Sequence, residues 1–411
     1  MKIKTLLLSS VVATGLSTGA MAADLGVLTS FDVCDELGIT GLTISSDTNC
    51  LQISGAVSYE FNWGDNNGTV GGGYLHAPED NLGVSPLHQD WSSEVEAFLK
   101  FVGTADSDFG PASATIKLDF ADNATWVDGA NTATNANVVV VDEAYVSIGN
   151  STVIMAGKKD SIANTDGDVA YNWLGLEHDD DDNNMELLPA TGGHVIQLIS
   201  TLGDSVDVGI ALENLQGQGT VVGVMNYFGD NVVAHLTVAG NGATGVWAGH
   251  AGVEVTADVY KFLVAATFDN ATPTNNWGVV ASAQATFDMF TLAASVAAAD
   301  GDDLELAASA TAAVTDTVTV KLGVQWDDHD TTVTLNEQWK VALGLSAEVT
   351  ETITINAEVG AIGENTAPAS SITYGEVGLV WNPGGGYSSS VTAGGNSAGA
   401  YTLTYTAAKS F

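Results

Sequence analysis

The chain ends with the stretch YTLTYTAAKSF, residues 401–411, and this stretch decides the fold class. Apolar and aromatic side chains predominate at every second position from Tyr401 to Phe411, with threonine, alanine and serine between them. A period of two indicates a β-strand with two different faces. A strand ending in an aromatic residue is typical of the closing strand of a bacterial outer-membrane β-barrel. That strand must pair with the first one, because the lipid core holds no water to satisfy an open sheet edge.

The N-terminal residues predict export from the cytoplasm. Lys2 and Lys4 form a positive region, an apolar stretch follows from Leu6 to Leu16, and Ala20 and Ala22 are small residues suited to a signal peptidase. We therefore expect a signal peptide over residues 1–22 and a mature chain from residue 23. No other run of about 18 apolar residues is present, which argues against helical membrane spans. After cleavage, the expected location is the outer membrane of a Gram-negative cell.

The same alternation recurs along the chain in segments of about ten residues, the length that a tilted strand needs to cross a bilayer. Tyr260 and Phe262 flank Lys261, for example, and the pattern also covers residues 51–63, 114–120, 206–213, 318–326, 339–346 and 353–359. We count about 16 to 20 candidate strands, and residues 384–399 are too rich in glycine and serine to assign.

The connections between these segments differ in length. Short turns at residues 203–205 and 229–231 contrast with long acidic loops predicted at residues 64–90, 160–193 and 325–332. Neither a linker between several sandwich domains nor the nonapeptide repeat of a calcium-binding solenoid is present in the sequence. The pattern favours a single antiparallel β-barrel over residues 23–411.

The charge of the chain limits its partners. It contains 50 acidic residues against ten basic ones, and its formal net charge is −40 at pH 7. All ten basic residues are lysines. This charge excludes nucleic acid as a natural partner and favours cations over anions. A surface adapted to a salty medium is the alternative interpretation.

Two cysteines, Cys34 and Cys50, precede the first clear strand. Because an exported chain meets an oxidising compartment, we expect a disulfide that closes the segment within residues 23–50. A metal site would need more ligands than these two thiols.

Three stretches resemble alphaproteobacterial porins of the rhizobial type. The first is Cys34 followed by the run Cys50–Gly55, which contains an Ile-Ser-Gly motif. The second is the strand pair 142–149 and 152–158, and the third is the terminal Phe411. The resemblance implies a barrel of 16 strands, with 18 as the alternative, that assembles as a homotrimer in outer-membrane lipid. It also implies passive diffusion of small hydrophilic solutes and ions. Where these porins commonly carry arginine, this chain has Lys158.

In the family that the chain resembles, the long loop after this strand pair folds into the pore. Carboxylates in a constriction stabilise a passing cation, so we expect a cation preference. The candidate constriction loop is 160–193, and its acidic residues are Asp160, Asp166, Asp168, Glu177, Asp179, Asp180, Asp181, Asp182 and Glu186. Lys100 and Lys117 are expected on the polar faces of early strands, where they either face that loop or lie at the rim, and Lys158 directly precedes the loop.

Other functions find less support in the sequence. The run Asp179–Asp182 is a weak candidate for loosely bound Ca²⁺, but it lacks the spacing of a calcium loop, so a solvated acidic loop is the favoured interpretation. No nucleophile elbow, phosphate loop or paired-histidine zinc motif indicates an enzyme or a cofactor.

Two alternatives to a general diffusion channel stay open. A substrate-specific outer-membrane channel would place stacking aromatic residues along the pore, for which Tyr171 and Trp173 are the only indication. A non-conducting acidic surface or structural protein would share the export signal and the charge.

Overall fold

The computed structural model describes residues 33–65, 90–127, 130–133, 138–164, 168–176, 191–270, 276–300, 303–331, 334–364 and 370–411. The predicted signal peptide lies outside these residues. The described part of the chain consists almost entirely of β-strands, with a one-turn helix, α1, at Val33–Glu36.

No helix in the described residues is long and apolar enough to cross a membrane.

Twenty-two strands follow one another in the described ranges. They are β1 (Leu42–Ser45), β2 (Cys50–Asp65), β3 (Asp90–Ala105), β4 (Ala112–Val127), β5 (Ala130–Ala133), β6 (Val138–Gly149), β7 (Thr152–Lys159), β8 (Gly193–Leu202), β9 (Val206–Glu213), β10 (Thr220–Phe228), β11 (Val232–Asn241), β12 (Trp247–Ala257), β13 (Tyr260–Asp269), β14 (Trp277–Phe287), β15 (Phe290–Ala299), β16 (Asp303–Thr315), β17 (Val318–Thr331), β18 (Thr334–Thr350), β19 (Ile353–Glu364), β20 (Ser370–Gly384), β21 (Tyr387–Asn396) and β22 (Tyr401–Ser410). All belong to one sheet.

The chain divides into two compact units, and the first contains the pairing between the first long strand and the last strand. This unit covers residues 1–144, 347–357 and 374–411. Here β22 pairs antiparallel with β2, with Tyr405 opposite Phe61. Beyond the end of β22, Phe411 and Gly55 exchange two backbone hydrogen bonds of 2.9 and 3.1 Å. The last strand therefore pairs with the first long strand, and the sheet closes on itself as an antiparallel barrel.

The second unit covers residues 145–346 and 358–373. Within it, β7 to β17 pair consecutively, each strand antiparallel to the next. Several turns at one end are very short, and Asp258 and Asp288 adopt positive φ angles of 55° and 51° there, a conformation that Asp tolerates better than most residues. Several connections at the opposite end are longer, such as residues 160–192 and 214–219, which is the asymmetry expected of this barrel type.

The predicted number of 16 strands, or 18, is wrong. When the four-residue strands β1 and β5 are set aside, 20 strands remain in the closed sheet of the described residues. The reason lies in residues 193–331, where ten strands of only 8 to 14 residues follow one another. Because some of their turns contain only two residues, residues 193–331 form more membrane-crossing strands than the resemblance implies. The sequence also misplaces the loop at 325–332, since residues 325–331 continue β17.

The two faces of the second unit's strands differ in exposure, as the alternation predicts. In β13, Tyr260, Phe262 and Val264 are exposed, whereas Leu263 and Ala265 at the alternate positions are buried. The exposed apolar face suits contact with lipid. The opposite face, rich in alanine and glycine, is the inner face, and it is covered by the long connection after β7.

Aromatic side chains lie at both ends of the outer face. Trp247 packs edge-on against Phe268 at the end with the longer connections, at a centroid distance of 5.3 Å. Tyr260 and Phe287 make a similar contact of 6.1 Å at the end with the short turns. Such belts lie at the two interfaces of a membrane-spanning barrel.

The predicted disulfide is confirmed, since Cys34 and Cys50 are bonded with their Cα atoms 4.9 Å apart. Both cysteines are buried. The bond ties α1 to the start of β2, and β1 lies between them as an extra strand paired with β2.

Candidate functional site

The connection between β7 and β8 starts and ends on one buried carboxyl group, that of Glu213 in β9. Its Oε1 accepts hydrogen bonds from the backbone N–H of Ile162 (2.9 Å) and from Gln197 Nε2 (3.1 Å), and its Oε2 accepts one from Gly192 N–H (2.8 Å). Glu213 is fully buried, with 0% exposure. Because a buried carboxyl group needs partners for its oxygens, this side chain holds the two ends of the loop together.

The first described stretch of the loop, residues 160–164, runs along the inner face of β8 to β11. Asn164 exchanges two hydrogen bonds with the Thr237 hydroxyl, at 2.9 and 2.8 Å, and its Nδ2 donates to Asn226 Oδ1 at 2.8 Å. Ile162 packs on a buried cluster that includes Val222. Gly209 leaves room for Ile162, since a Cβ there would lie 3.1 Å from its Cδ1. This stretch therefore lies on the barrel wall.

Farther along the loop, the carboxylate of Asp168 meets two histidines of the wall. His250 Nε2 lies 2.6 Å and His235 Nε2 lies 3.0 Å from Asp168 Oδ2. The two imidazole rings are stacked almost parallel, with centroids 5.1 Å apart. Burial raises the pKa of Asp168, but its close polar contacts with the two histidines lower it by more, so its pKa lies below the ordinary value.

The aromatic residues of the loop are also bound to the wall. The hydroxyl of Tyr171 donates a 2.7 Å hydrogen bond to Glu254 Oε2, and Lys261 Nζ lies 3.2 Å from Glu254 Oε1. The Trp173 ring lies under Lys321, whose Nζ is 5.6 Å from the ring centroid. These contacts leave the two rings fixed against the inner face rather than presented as a free stacking platform.

Small residues in the wall make this close approach possible. A Cβ at Gly344 would lie 2.5 Å from Trp173, and one at Gly323 would lie 2.6 Å from Leu174. Ala170 and Leu176 of the loop pack into a buried apolar cluster with Ala265, Val280, Ala297 and Ala307. Residues 168–176 are thus seated in a groove of glycine and alanine, which explains the glycine-rich and alanine-rich strands.

The first unit contains a separate cluster of charges. Lys100 and Lys117 lie directly opposite each other on β3 and β4. Lys100 Nζ is 3.1 Å from Glu143 Oε2, and Lys117 Nζ is 2.7 Å from Asp142 Oδ2 and 3.3 Å from Asp119 Oδ2. Each ammonium group is therefore neutralised locally by carboxylates.

The inner face is acidic in both units. Strand alternation and pairing place more carboxyl groups than lysines on this face among the described strands. In the first unit the acidic residues include Glu60, Glu94, Glu96, Asp119, Glu143 and Glu376, beside Lys100 and Lys117. In the second they include Asp207, Glu213, Glu254, Asp269, Glu305, Asp327 and Glu358, beside Lys159, Lys261, Lys321 and Lys340.

The predicted site residues differ in burial, and some of them lie outside the described residues. Asp168 is buried, with 2% exposure, whereas Asp160 is exposed and its carbonyl accepts a hydrogen bond from Gln197. Lys158 is exposed on the face of β7 that carries Ile154, whereas the neighbouring Lys159 lies over the Tyr145 ring. The other acidic residues of the loop, including the calcium candidates, lie outside the described residues; they are Asp166, Glu177, Asp179, Asp180, Asp181, Asp182 and Glu186.

Among the residues that hold the loop, the titratable residues Glu213, His235, His250 and Glu254 were not predicted from the sequence. One signal was available for the histidines. They flank the turn at residues 242–246, and a hairpin centred there places both on one face, with His235 opposite Gly252 and His250 opposite Thr237. The loop contacts of Glu213 and Glu254 join residues far apart in the sequence, and no local pattern indicates them.

Comparison with known proteins identifies related sequences. A family model described as the Porin subfamily matches residues 31–386. The putative outer membrane protein y4fJ of Sinorhizobium fredii is 28% identical over 156 residues, covering 36% of this chain and 41% of that protein. Porin Omp2b of Brucella canis is 26% identical over 267 residues, covering 62% of this chain and 65% of that protein. The chain therefore spans less than two thirds of the length of either relative. A solved mutant of the Rh. blastica porin is 15% identical, with a TM-score of 0.39 over 88% of this chain and 100% of that chain.

Proposed function

Because the chain belongs to the Porin subfamily, whose relatives are named as outer-membrane proteins and porins, we propose that it forms a water-filled, cation-preferring channel. It lets small hydrophilic solutes and ions diffuse passively across the outer membrane. The observation that carries this proposal is the loop after β7, which is bonded to the inner face of the barrel wall from Glu213 to Ser309. We infer that a loop held there narrows the passage.

The cation preference follows from the charges on the inner face. Carboxyl groups outnumber lysines on this face in the part of the chain that the structure describes, and no arginine occurs anywhere in the sequence. Charged groups along a passage with low-dielectric walls raise the local concentration of counter-ions. Lys100 and Lys117, the two lysines described on β3 and β4, are each within 3.3 Å of a carboxylate, so they add little net positive field.

The first alternative is a substrate-specific channel. It would need aromatic rings free to stack on a substrate, but Tyr171 is tied to Glu254 and the Trp173 backbone N–H donates to Ser309 Oγ at 3.0 Å. These attachments favour a general channel. The resemblance to rhizobial porins supports a homotrimer in outer-membrane lipid as the assembly.

Conductance in a planar bilayer tests the proposal. Purified, folded protein should give discrete steps whose size grows in proportion to salt concentration, and liposomes carrying it should swell in sugars at rates that fall with sugar size. A conductance blocked at low concentration by one solute would indicate a substrate-specific channel. Absence of steps from correctly folded protein would indicate a non-conducting surface protein and contradict the proposal.

The acidic run Asp179–Asp182 calls for a variant of its own. If these carboxylates line the narrowest section, replacing all four with Asn should reduce the cation preference in a salt gradient. An unchanged reversal potential would assign the selectivity to the acidic wall alone. The same four replacements should leave the rate of sugar permeation nearly unchanged, because Asn and Asp have nearly equal volumes.

A further inference from the structure

We propose that Asp168, His235 and His250 form a binding site for a transition-metal cation of the Zn²⁺ class. The site would join the loop after β7 to the barrel wall, because Asp168 belongs to the loop and the two histidines belong to β11 and β12. Metal binding at these residues does not depend on whether the channel conducts.

The donor atoms converge on one point. One oxygen or nitrogen from each of the three residues lies within 4.8 Å of the others. Both Nε2 atoms approach the same oxygen, Asp168 Oδ2, at 2.6 and 3.0 Å. Two ligands bound to one tetrahedral zinc at about 2.0–2.1 Å lie roughly 3.3 Å apart, so modest shifts of these side chains would admit the ion.

The Nε2 atoms of both histidines are buried beside Asp168. His250 is fully buried, with 0% exposure, and its Nε2 is aimed at Asp168. His235 Nε2 is also buried, and despite its 3.0 Å approach it makes no hydrogen bond of acceptable geometry with any described residue. A buried ring nitrogen without a hydrogen-bond partner is unfavourable, whereas a cation bound to this nitrogen and to the carboxylate would satisfy both groups.

The wall is shaped for these three side chains. Strand pairing places Gly252 directly opposite His235. A Cβ at Gly252 would lie 2.3 Å from Asp168 Oδ1 and 2.4 Å from His235 Cε1. The missing side chain is therefore what lets the carboxylate of the loop reach the two imidazoles.

The chemistry of the donors selects the metal. Two imidazole nitrogens and one carboxylate oxygen suit Zn²⁺ and its neighbours in the first transition row, whereas Ca²⁺ and Mg²⁺ prefer sites built from oxygen alone. A water molecule would complete the tetrahedral coordination as the fourth ligand.

Calorimetric titration of Zn²⁺ into the folded, full-length protein in detergent tests the proposal. The protein is first treated with EDTA, and excess Mg²⁺ is then added to occupy the many surface carboxylates. We expect one Zn²⁺ bound per chain. His250→Gln and His235→Gln should each weaken this binding by at least tenfold, and Co²⁺ should give visible absorption bands that both variants lose.

His194→Gln is the matched control, because His194 lies exposed on β8 and is not one of the three clustered donor residues. It should bind Zn²⁺ like the unmodified protein. Because His250 is buried and its replacement can impair folding, His235→Gln and Asp168→Asn provide the second test, with gel mobility before and after boiling as the check on folding. Failure to detect a Mg²⁺-resistant site, or equal weakening by His194→Gln, would overturn the proposal.

Discussion

Lys100 and Lys117 lie directly opposite each other on neighbouring strands, and each ammonium group contacts a carboxylate on another part of the chain. Like charges in directly opposed positions destabilise a sheet, so the pair depends on its acidic partners. Glu143 and Asp142, adjacent residues of β6, supply one partner each at 3.1 and 2.7 Å. The arrangement keeps two of the few lysines on the inner face from acting as free positive charges.

Replacing Lys117 with Gln should increase the cation preference. The change removes one positive charge and leaves Asp119 and Asp142 without their ammonium partner, so the local field becomes more negative. The effect should be larger at 0.1 M salt, where charges act over about 10 Å, than at 1 M, where they act over about 3 Å. Reversal potentials in matched salt gradients measure the shift. Lys409→Gln, an exposed lysine at the short-turn end of β22, should leave the potential unchanged.

Replacing Gly55 with Ala should weaken barrel closure. A Cβ at Gly55 would lie 2.7 Å from the Phe411 ring and 2.8 Å from the backbone oxygen of Phe98, so the strands must shift at a cost of about 1–3 kcal/mol. In detergent gels, the variant should lose its folded mobility at a lower temperature than the unmodified protein. Gly103→Ala is the control, since a Cβ there meets nothing within 4 Å. Equal behaviour of the two variants would show that this contact does not matter.

Replacing Glu213 with Gln should loosen both ends of the loop. One of its oxygens becomes an NH₂ group that faces a backbone N–H, and each lost hydrogen bond to a charged group is worth on the order of 2 kcal/mol. We expect rapid fluctuations of the open current in single-channel recordings. The control Asp207→Asn changes another inner-face acid of the same strand, one that makes no hydrogen bond with the described residues of the loop. A steady open-channel current from Glu213→Gln would mean that the loop is held by its other contacts.

The disulfide should stabilise its own segment rather than the whole barrel. Cys34 and Cys50 are 16 residues apart, and closing a loop of this length contributes about 3 kcal/mol in the chain-entropy description. The double variant Cys34→Ser and Cys50→Ser should still fold, but α1 and β1 should become sensitive to protease. Mass spectrometry of the digests measures the cleavage within these two elements. Complete loss of the folded gel mobility would instead make the bond a requirement for assembly.

The sequence predicts strands wherever side chains alternate strongly, as they do around Tyr260 and Phe262, because lipid and the inner face impose a period of two. Residues 387–396 form β21 although their small side chains show no such contrast, since backbone pairing with β20 and β22 is sufficient. The strand number could not be predicted, because it depends on how many short turns the chain makes. The attachment of the loop to the barrel wall depends on contacts such as the one between Asp168 and His250. Only the register of the strands brings these two residues together.

The central claim is that the channel prefers cations, and the reversal potential across a planar bilayer with a salt gradient tests it most directly. Among the described strands the inner face carries more carboxyl groups than lysines, and the whole chain has a formal net charge of −40. We predict a potential whose sign shows cations crossing faster than anions, declining as the salt concentration on both sides rises from 0.1 M to 1 M. A potential of the opposite sign, showing anions crossing faster, would contradict the account.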